Sequence, residues 1–294
     1  MSRHISLSVA FAFALTAGCS TAPAPALSGA GGTTGAGGAG GNAVASCGSD
    51  NPGDLIADFT LDNGIAPVDG RSGGWYVYGD PMGAFDPPKN SDPTVAYPID
   101  ATTGNPTCSK AGSFHVKGRG FNTWGAATAT DLVAKITNTS GASVKGTYDA
   151  TKYKGISFWA KSAAPMMFVQ VKFPDIFSAA EADPTSLDPT YYSCTDGLCG
   201  FPNNCSPYIV KFASASDTNY PKYATTQIGT TWKRFDVLFA DAKPDKDCTG
   251  YNPLGMLDLK HLVTFAIQVN ANFTTMPTSA NDFEMWIDDV RFIR

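Results

Sequence analysis

The sequence predicts an all-β protein, an antiparallel β-sandwich with long loops pinned by disulfides. Short segments of alternating apolar and polar residues recur along the chain, bounded by Gly, Pro and Asn. No long segment carries the helical period. Of the 26 acidic residues only Glu181 and Glu284 are glutamates, a composition that builds strands and turns rather than helices.

Residues 1–18 read as a secretory signal. Arg3 opens it, and the apolar run 5–15 is too short to span a bilayer, which takes about 20 residues. The segment Leu15-Thr16-Ala17-Gly18-Cys19 resembles a bacterial lipobox, which makes Cys19 the lipidated first residue of the mature chain. Ordinary signal cleavage beside an incidental cysteine is the alternative. Residues 20–46 contain no charge and are mostly Gly, Ala, Ser, Thr and Pro. Such a segment forms no core and acts as a tether, with an r.m.s. span of roughly 30 Å and an extended reach of about 90 Å. Together Cys19 and the linker make 19–46 one unit, and 47–294 follows as one domain.

Strands are expected in order at 54–61 (DLIADFTL), 74–79 (GWYVYG), 113–118 (SFHVKG), 132–136 (LVAKI) and 155–161 (GISFWAK). Five more are expected at 167–173 (MFVQVKF), 207–213 (PYIVKFA), 232–239 (WKRFDVLF), 262–270 (LVTFAIQVN) and 283–292 (FEMWIDDVRF). A single helical turn fits 254–259. In the last strand Phe283, Met285 and Ile287 share one face, and then the phase slips so that Val290 and Phe292 continue it. The slip falls on Asp288-Asp289 and predicts a β-bulge. Surplus length sits in the loops 80–110 and 174–206.

Apart from Cys19 there are six cysteines: Cys47, Cys108, Cys194, Cys199, Cys205 and Cys248. In an exported chain they read as three disulfides, and six cysteines allow 15 pairings. Cys47 with Cys108 is the one pairing favoured here, since both precede predicted strands. Zinc at Cys194, Cys199 and Cys205 is the alternative for the clustered group. A net charge of -5 argues against nucleic acid or an anionic surface as partner.

Two strands offer a dry face and a polar one. Val263, Phe265, Ile267 and Val269 oppose Thr264, Ala266, Gln268 and Asn270; Val169 and Val171 oppose Gln170 and Lys172. Amides and charges on a sheet face hydrogen-bond sugar hydroxyls, and equally suit a plain solvated face. Trp75, Tyr76, Tyr78 and Trp124 sit beside glycines near turns, where rings can stack on sugars or enter the core. Trp159, Trp232 and Trp286 lie inside strand patterns and read as packing or sheet-face residues. Asp58 and Asp62 flank the first strand, and Asp288 and Asp289 sit in the last. Pairing of those strands brings the acids together, where a structural calcium would take six to eight oxygens. The histidines of the mature chain, His115 and His261, lie in no recognised catalytic motif, and HExxH and P-loop patterns are absent from the sequence.

GGWYVYGD (73–80), GFNTWGA (120–126), YDATKYKGISFWAK (148–161), TTWKRFDVLFAD (230–241) and FEMWIDDVRF together resemble the galactose-binding-like jelly rolls. The family 11 type of carbohydrate-binding module is the nearest class to this pattern, and the resemblance spans roughly 54–294. It implies a β-sandwich whose concave face binds one polysaccharide chain, with calcium between the first and last strands. Carried onto this sequence, the cleft candidates are Trp75, Tyr78, Trp124, Gln170, Lys172, Gln268 and Asn270. The calcium candidates are Asp58 and Asp289, then Asp288. This chain departs from the pattern in its insert CTDGLCGFPNNC (194–205) and in having no catalytic domain attached. The expected function is non-catalytic polysaccharide binding by a monomeric outer-membrane lipoprotein of a Gram-negative bacterium. A jelly-roll polysaccharide lyase or glycoside hydrolase, and an adhesion module that binds protein, are the alternatives.

Overall fold

The computed structural model describes residues 47, 51–60, 64–89, 97–108, 112–191, 207–212, 218–245, 254–270 and 282–294. The chain divides into Met1–Asn42 and Ala43–Arg294, and every described residue belongs to the second unit. The signal, Cys19, the linker, Asp62, Cys194, Cys199, Cys205 and Cys248 lie outside the described residues.

In chain order the strands are β1 (Leu55–Ala57), β2 (Trp75–Gly79), β3 (Ala84–Asp86), β4 (Phe114–Arg119), β5 (Ala126–Asp131), β6 (Ile136–Thr137) and β7 (Ser143–Val144). They continue with β8 (Gly155–Ser162), β9 (Gln170–Phe173), β10 (Tyr208–Lys211), β11 (Lys233–Leu238), β12 (Lys243–Pro244), β13 (Thr264–Val269) and β14 (Asp282–Ile293). Helix among the described residues is confined to short 3-10 turns. One sheet runs β11-β8-β14-β4-β3, with β1 also on β14; the other runs β12-β10-β9-β13-β5-β2. Every strand pair within them is antiparallel. The fold is an all-β antiparallel sandwich, as the alternation predicts.

The inner faces meet in a core rich in aromatic rings. Phe158 lies 5.5 Å from Phe235, 5.8 Å from Phe265 and 6.3 Å from Phe212. Because directly opposed residues of an antiparallel pair share a face, the register carries this inward set from strand to strand. Phe265 opposes Thr130, Thr130 opposes Trp75, and Phe173 opposes Tyr208.

The expected bulge is present. Ile287 and Asp288 of β14 pair with Ala160 and Trp159, and the register then shifts before Arg291 meets Ser157. Asp289 takes φ 45°, a left-handed conformation that aspartate tolerates better than most residues. Phe283, Met285, Ile287, Val290 and Phe292 are all buried, so the phase slip keeps one face dry across the bulge. Asp288 is wholly buried there. Its Oδ2 accepts the Asn105 N–H at 3.0 Å and its Oδ1 accepts the Asp289 N–H at 2.7 Å. The Asn105 turn runs into Cys108, which is disulfide-bonded to Cys47 as favoured from the sequence.

Aspartate dominates the acids for a local reason. In Asp58-x-Thr60, Asp100-x-Thr102, Asp149-x-Thr151, Asp183-x-Thr185 and Asp188-x-Thr190, one carboxylate oxygen accepts both the N–H and the hydroxyl of the threonine two residues on. The longer glutamate side chain does not close this small ring.

Two expectations need correction. The strand expected at 132–136 is mostly a bend, and the real strand is the preceding β5, AATATD. Its alanines and threonines give little apolar contrast, so the alternation rule passed over it. The helical turn expected at 254–259 is a turn at 254–256, with 3-10 geometry only at Leu259–His261.

The disulfide closes a sequence separation of 61 residues beside the buried Asp288. Cys47→Ala with Cys108→Ala is expected to lower unfolding free energy by roughly 2–4 kcal/mol in denaturant titration. An unchanged midpoint would mean that the Asn105 turn is held without the bridge.

Candidate ligand-binding face

The outer face of the second sheet is set by the same register. Tyr78 opposes Ala127, Ala127 opposes Gln268, and Gln268 opposes Gln170. One row along, Tyr76 opposes Ala129, Ala129 opposes Ala266, and Ala266 opposes Lys172. Two tyrosines therefore line one side, the alanines form a low floor, and glutamine and lysine line the other side.

Tyr76 and Tyr78 have ring centres 6.0 Å apart, and Trp124 extends the row at 5.8 Å from Tyr78. Trp124 is 39% exposed, whereas Gln170 and Gln268 on the floor are each 6% exposed. Burial, followed by the Asp131 charge, raises the phenol pKa of both tyrosines, so they stay neutral hydrogen-bonding groups. The Gln268 Nε2 donates to the Trp124 carbonyl at 3.2 Å and also to the Asn270 side chain.

Trp124 is placed by Asp80. This carboxylate is 2% exposed and accepts the N–H groups of Thr123 at 2.9 Å, Gly125 at 3.1 Å and Met82 at 3.2 Å. Gly125 takes φ 109°, and its carbonyl accepts the Asp80 N–H at 2.9 Å. The turn 122–125 is thus clamped from both ends of one residue, and a side chain at Gly125 would strain it. Burial by itself raises the Asp80 pKa, but the backbone donors outweigh burial and hold it below the usual carboxylate value.

At the other end of the tyrosine row, Asp131 Oδ1 accepts from Tyr76 Oη at 2.9 Å, Thr264 Oγ1 at 2.8 Å and Lys145 Nζ at 3.1 Å. This network fixes the Tyr76 ring. Lys172 is half-buried and its pKa is pushed down to about 8, first by burial and further by Lys211, with Asp245 opposing.

The structure brings Tyr78, Trp124, Gln170, Lys172, Gln268 and Asn270 to this face. Trp75 is not there. It is 3% exposed, with its ring 5.2 Å from Phe114 and 5.1 Å from Phe59 in the core. Alternation within WYVYG already puts Trp75 and Tyr78 on opposite faces, and it was the signal that Tyr76 belongs in the site. Thr264 falls on the polar face expected for its strand, whereas Asp131, which ends the unexpected strand β5, and its partner Lys145 had no signal in the sequence.

The acids expected to hold calcium are adjacent to the β1–β14 pairing, in which Ala57 meets Val290. Burial first, then the charges of Asp289 and Asp58, raise the Asp288 pKa to about 7 against the lowering effect of the two backbone N–H donors. Asp289 Oδ1 accepts from Arg291 Nε at 2.8 Å, and Asp58 Oδ1 accepts from Thr60 Oγ1 at 2.7 Å. Among the described residues no three His, Cys, Asp or Glu side chains converge as a metal-binding group.

The opposite sheet carries an aromatic ladder of a different kind. Lys161 Nζ lies 5.3 Å from the Trp232 ring centre and 4.6 Å from that of Trp286, and His115 stacks on Trp286 at 4.5 Å. His115 Nε2 meets Glu284 at 2.9 Å. These groups partner one another, as in a lattice that stiffens the sheet.

No protein-family model matches the chain, and no curated protein matches it. Among solved structures, a family 11 carbohydrate-binding module from Clostridium thermocellum, in complex with a β-1,3-1,4-mixed-linked tetrasaccharide, shares 12% identity. It aligns over 82% of this chain and 94% of that one with a TM-score of 0.42. A family 30 carbohydrate-binding module shares 11%, over 72% of this chain and 90% of that one, with a TM-score of 0.37. An exo-β-agarase shares 10%, over 81% of this chain and 25% of that one, with a TM-score of 0.36. The sandwich assignment rests on the strand order and register described above.

Asp80→Ala is expected to cost roughly 1–3 kcal/mol at pH 7, because it removes the acceptor of the buried Gly125 N–H and of the part-buried Thr123 and Met82 N–H groups. With the folded pKa depressed, this contribution is present above the unfolded value of 3.8 and fades as pH falls through the folded value. Denaturant midpoints of both proteins should therefore converge in acid; a gap that is constant from pH 7 to pH 3 would contradict the clamp.

Proposed function

We propose that the outer face of the second sheet binds a polysaccharide chain without cleaving it. The row Tyr76–Tyr78–Trp124 beside Gln268, Asn270 and Gln170 carries this reading. Flat rings match the C–H faces of sugars, and amides both donate to and accept from hydroxyls. The rings are held before ligand arrives by the Asp80 clamp and the Asp131 network, which lowers the ordering cost of binding. The proposal includes export, lipidation at Cys19 and a flexible linker that holds the domain off the outer membrane of a Gram-negative cell. Many tethered copies on one surface would strengthen a weak single site.

Affinity electrophoresis of the full chain through gels containing a polysaccharide panel tests the binding. Trp124→Ala is expected to weaken retardation about tenfold while thermal unfolding is unchanged. Equal retardation of variant and parent would displace the site from this face, and loss of polymer viscosity would turn the reading to a lyase or hydrolase.

A structural calcium near Asp58, Asp288 and Asp289 belongs to the same proposal, with backbone carbonyls supplying most of its oxygens. Calcium should then raise the unfolding temperature and chelator should reverse the rise; no response to either removes the ion. Cys19→Ser should move the protein from the membrane to the soluble fraction, and unchanged fractionation rules out the lipid tether.

A further inference from the structure

The polar side of the proposed face is not neutral. Ala266 opposes Lys172, Lys172 opposes Ile209, and Ile209 opposes Lys243. In the adjoining row Gln268 opposes Gln170, and Gln170 opposes Lys211. Lys172 and Lys211 thus stand on the same face, on neighbouring strands, diagonal to each other with an offset of two residues.

Their partners differ from those of Lys145 and Lys243. Lys145 is satisfied by Asp131 at 3.1 Å and by Tyr76 at 3.1 Å. Lys243 Nζ donates to the Asn219 carbonyl at 2.8 Å. Lys211 has Asp245 only at 3.9 Å, beyond hydrogen-bond length. Lys172 makes no hydrogen bond or ion pair among the described residues, although it is half-buried. An ammonium withdrawn from water beside a second ammonium is costly unless an anion meets it. The lowered pKa of Lys172 expresses that cost.

Resting on the binding reading above, we infer that the ligand is an acidic polysaccharide, with an anionic sugar group seated at Lys172 and Lys211 while a sugar further along the same chain stacks on the Tyr78–Trp124 side. The tyrosines, the alanine floor and the lysines follow one another across β2, β5, β13, β9 and β10, so one chain lying across the strands meets all three. The chain as a whole carries a net charge of -5. Long-range electrostatics therefore repel an acidic polymer, and its retention would have to come from a local cationic site.

The test is affinity electrophoresis of the full chain through gels holding polygalacturonate, alginate, the carboxyl-reduced form of each, carrageenan and mixed-linkage β-glucan. Runs compare the parent with Lys172→Gln and Trp124→Ala, with thermal unfolding as the folding control. Expected is retardation by an acidic polymer that drops about tenfold on carboxyl reduction and about tenfold in Lys172→Gln. Carrageenan distinguishes sulfate from carboxylate as the anion recognised. Retardation by β-glucan or a carboxyl-reduced polymer that Lys172→Gln leaves unchanged would overturn the acidic ligand and keep the glycan-binding reading. Absence of retardation in every gel would overturn both. Should Lys172→Gln unfold, Lys211→Gln with the carboxyl-reduction comparison decides between the same outcomes.

Discussion

The fold depends on how β14 accommodates a buried carboxylate. This strand pairs with β1, β4 and β8, and thereby joins the beginning, middle and end of the described chain. A bulge in such a strand is tolerable only if the dry face stays continuous and the inserted polar groups find partners. Asp288 meets the second condition by accepting backbone N–H groups from its own bulge and from the Asn105 turn. The first is met because Val290 and Phe292 resume the inward phase. A disulfide then ties the Asn105 turn to Cys47, so a covalent link and a buried carboxylate hold the same corner.

The opposite sheet uses carboxylates in a related way, but to position side chains rather than to close the sheet. Asp80 gathers the N–H groups of one turn and so presents Trp124. Asp131 gathers a phenol, a hydroxyl and an ammonium, and so fixes Tyr76. Neither residue looks chemical from the sequence, and neither needs to touch a ligand. Both reduce the freedom of a ring on the proposed binding face, and short side chains close such local networks with little loss of entropy.

Alternation made much of the fold legible. It located the strands with large apolar contrast, among them β8, β13 and β14, and its phase slip located the bulge. It failed at β5, whose alanine and threonine side chains differ too little in hydropathy to show a face. That omission hid the middle of the binding face, including Asp131 and the alanine floor. Trp75 was misplaced for a different reason: its glycine neighbours suggested a turn, whereas its parity with Val77 puts it in the core. Tyr78 has the opposite parity and lies on the outer face, and Tyr76, which was not among the cleft candidates, shares that face.

By itself the sequence determined which residues share a face of a strand, because a period of two is a property of the backbone. It determined the turn chemistry too, since Asp-x-Thr and Gly-containing turns close over neighbouring residues. Only the tertiary structure decided which strands lie side by side, and hence that Tyr78, Gln268 and Gln170 fall in one row. The same pairing decided which charges meet. Lys145, just after β7, finds Asp131 at the end of β5, while Lys172 finds Lys211, and no local rule distinguishes these two lysines. Strand neighbours here come from distant parts of the chain, so their contacts follow from the packing of the two sheets as a whole.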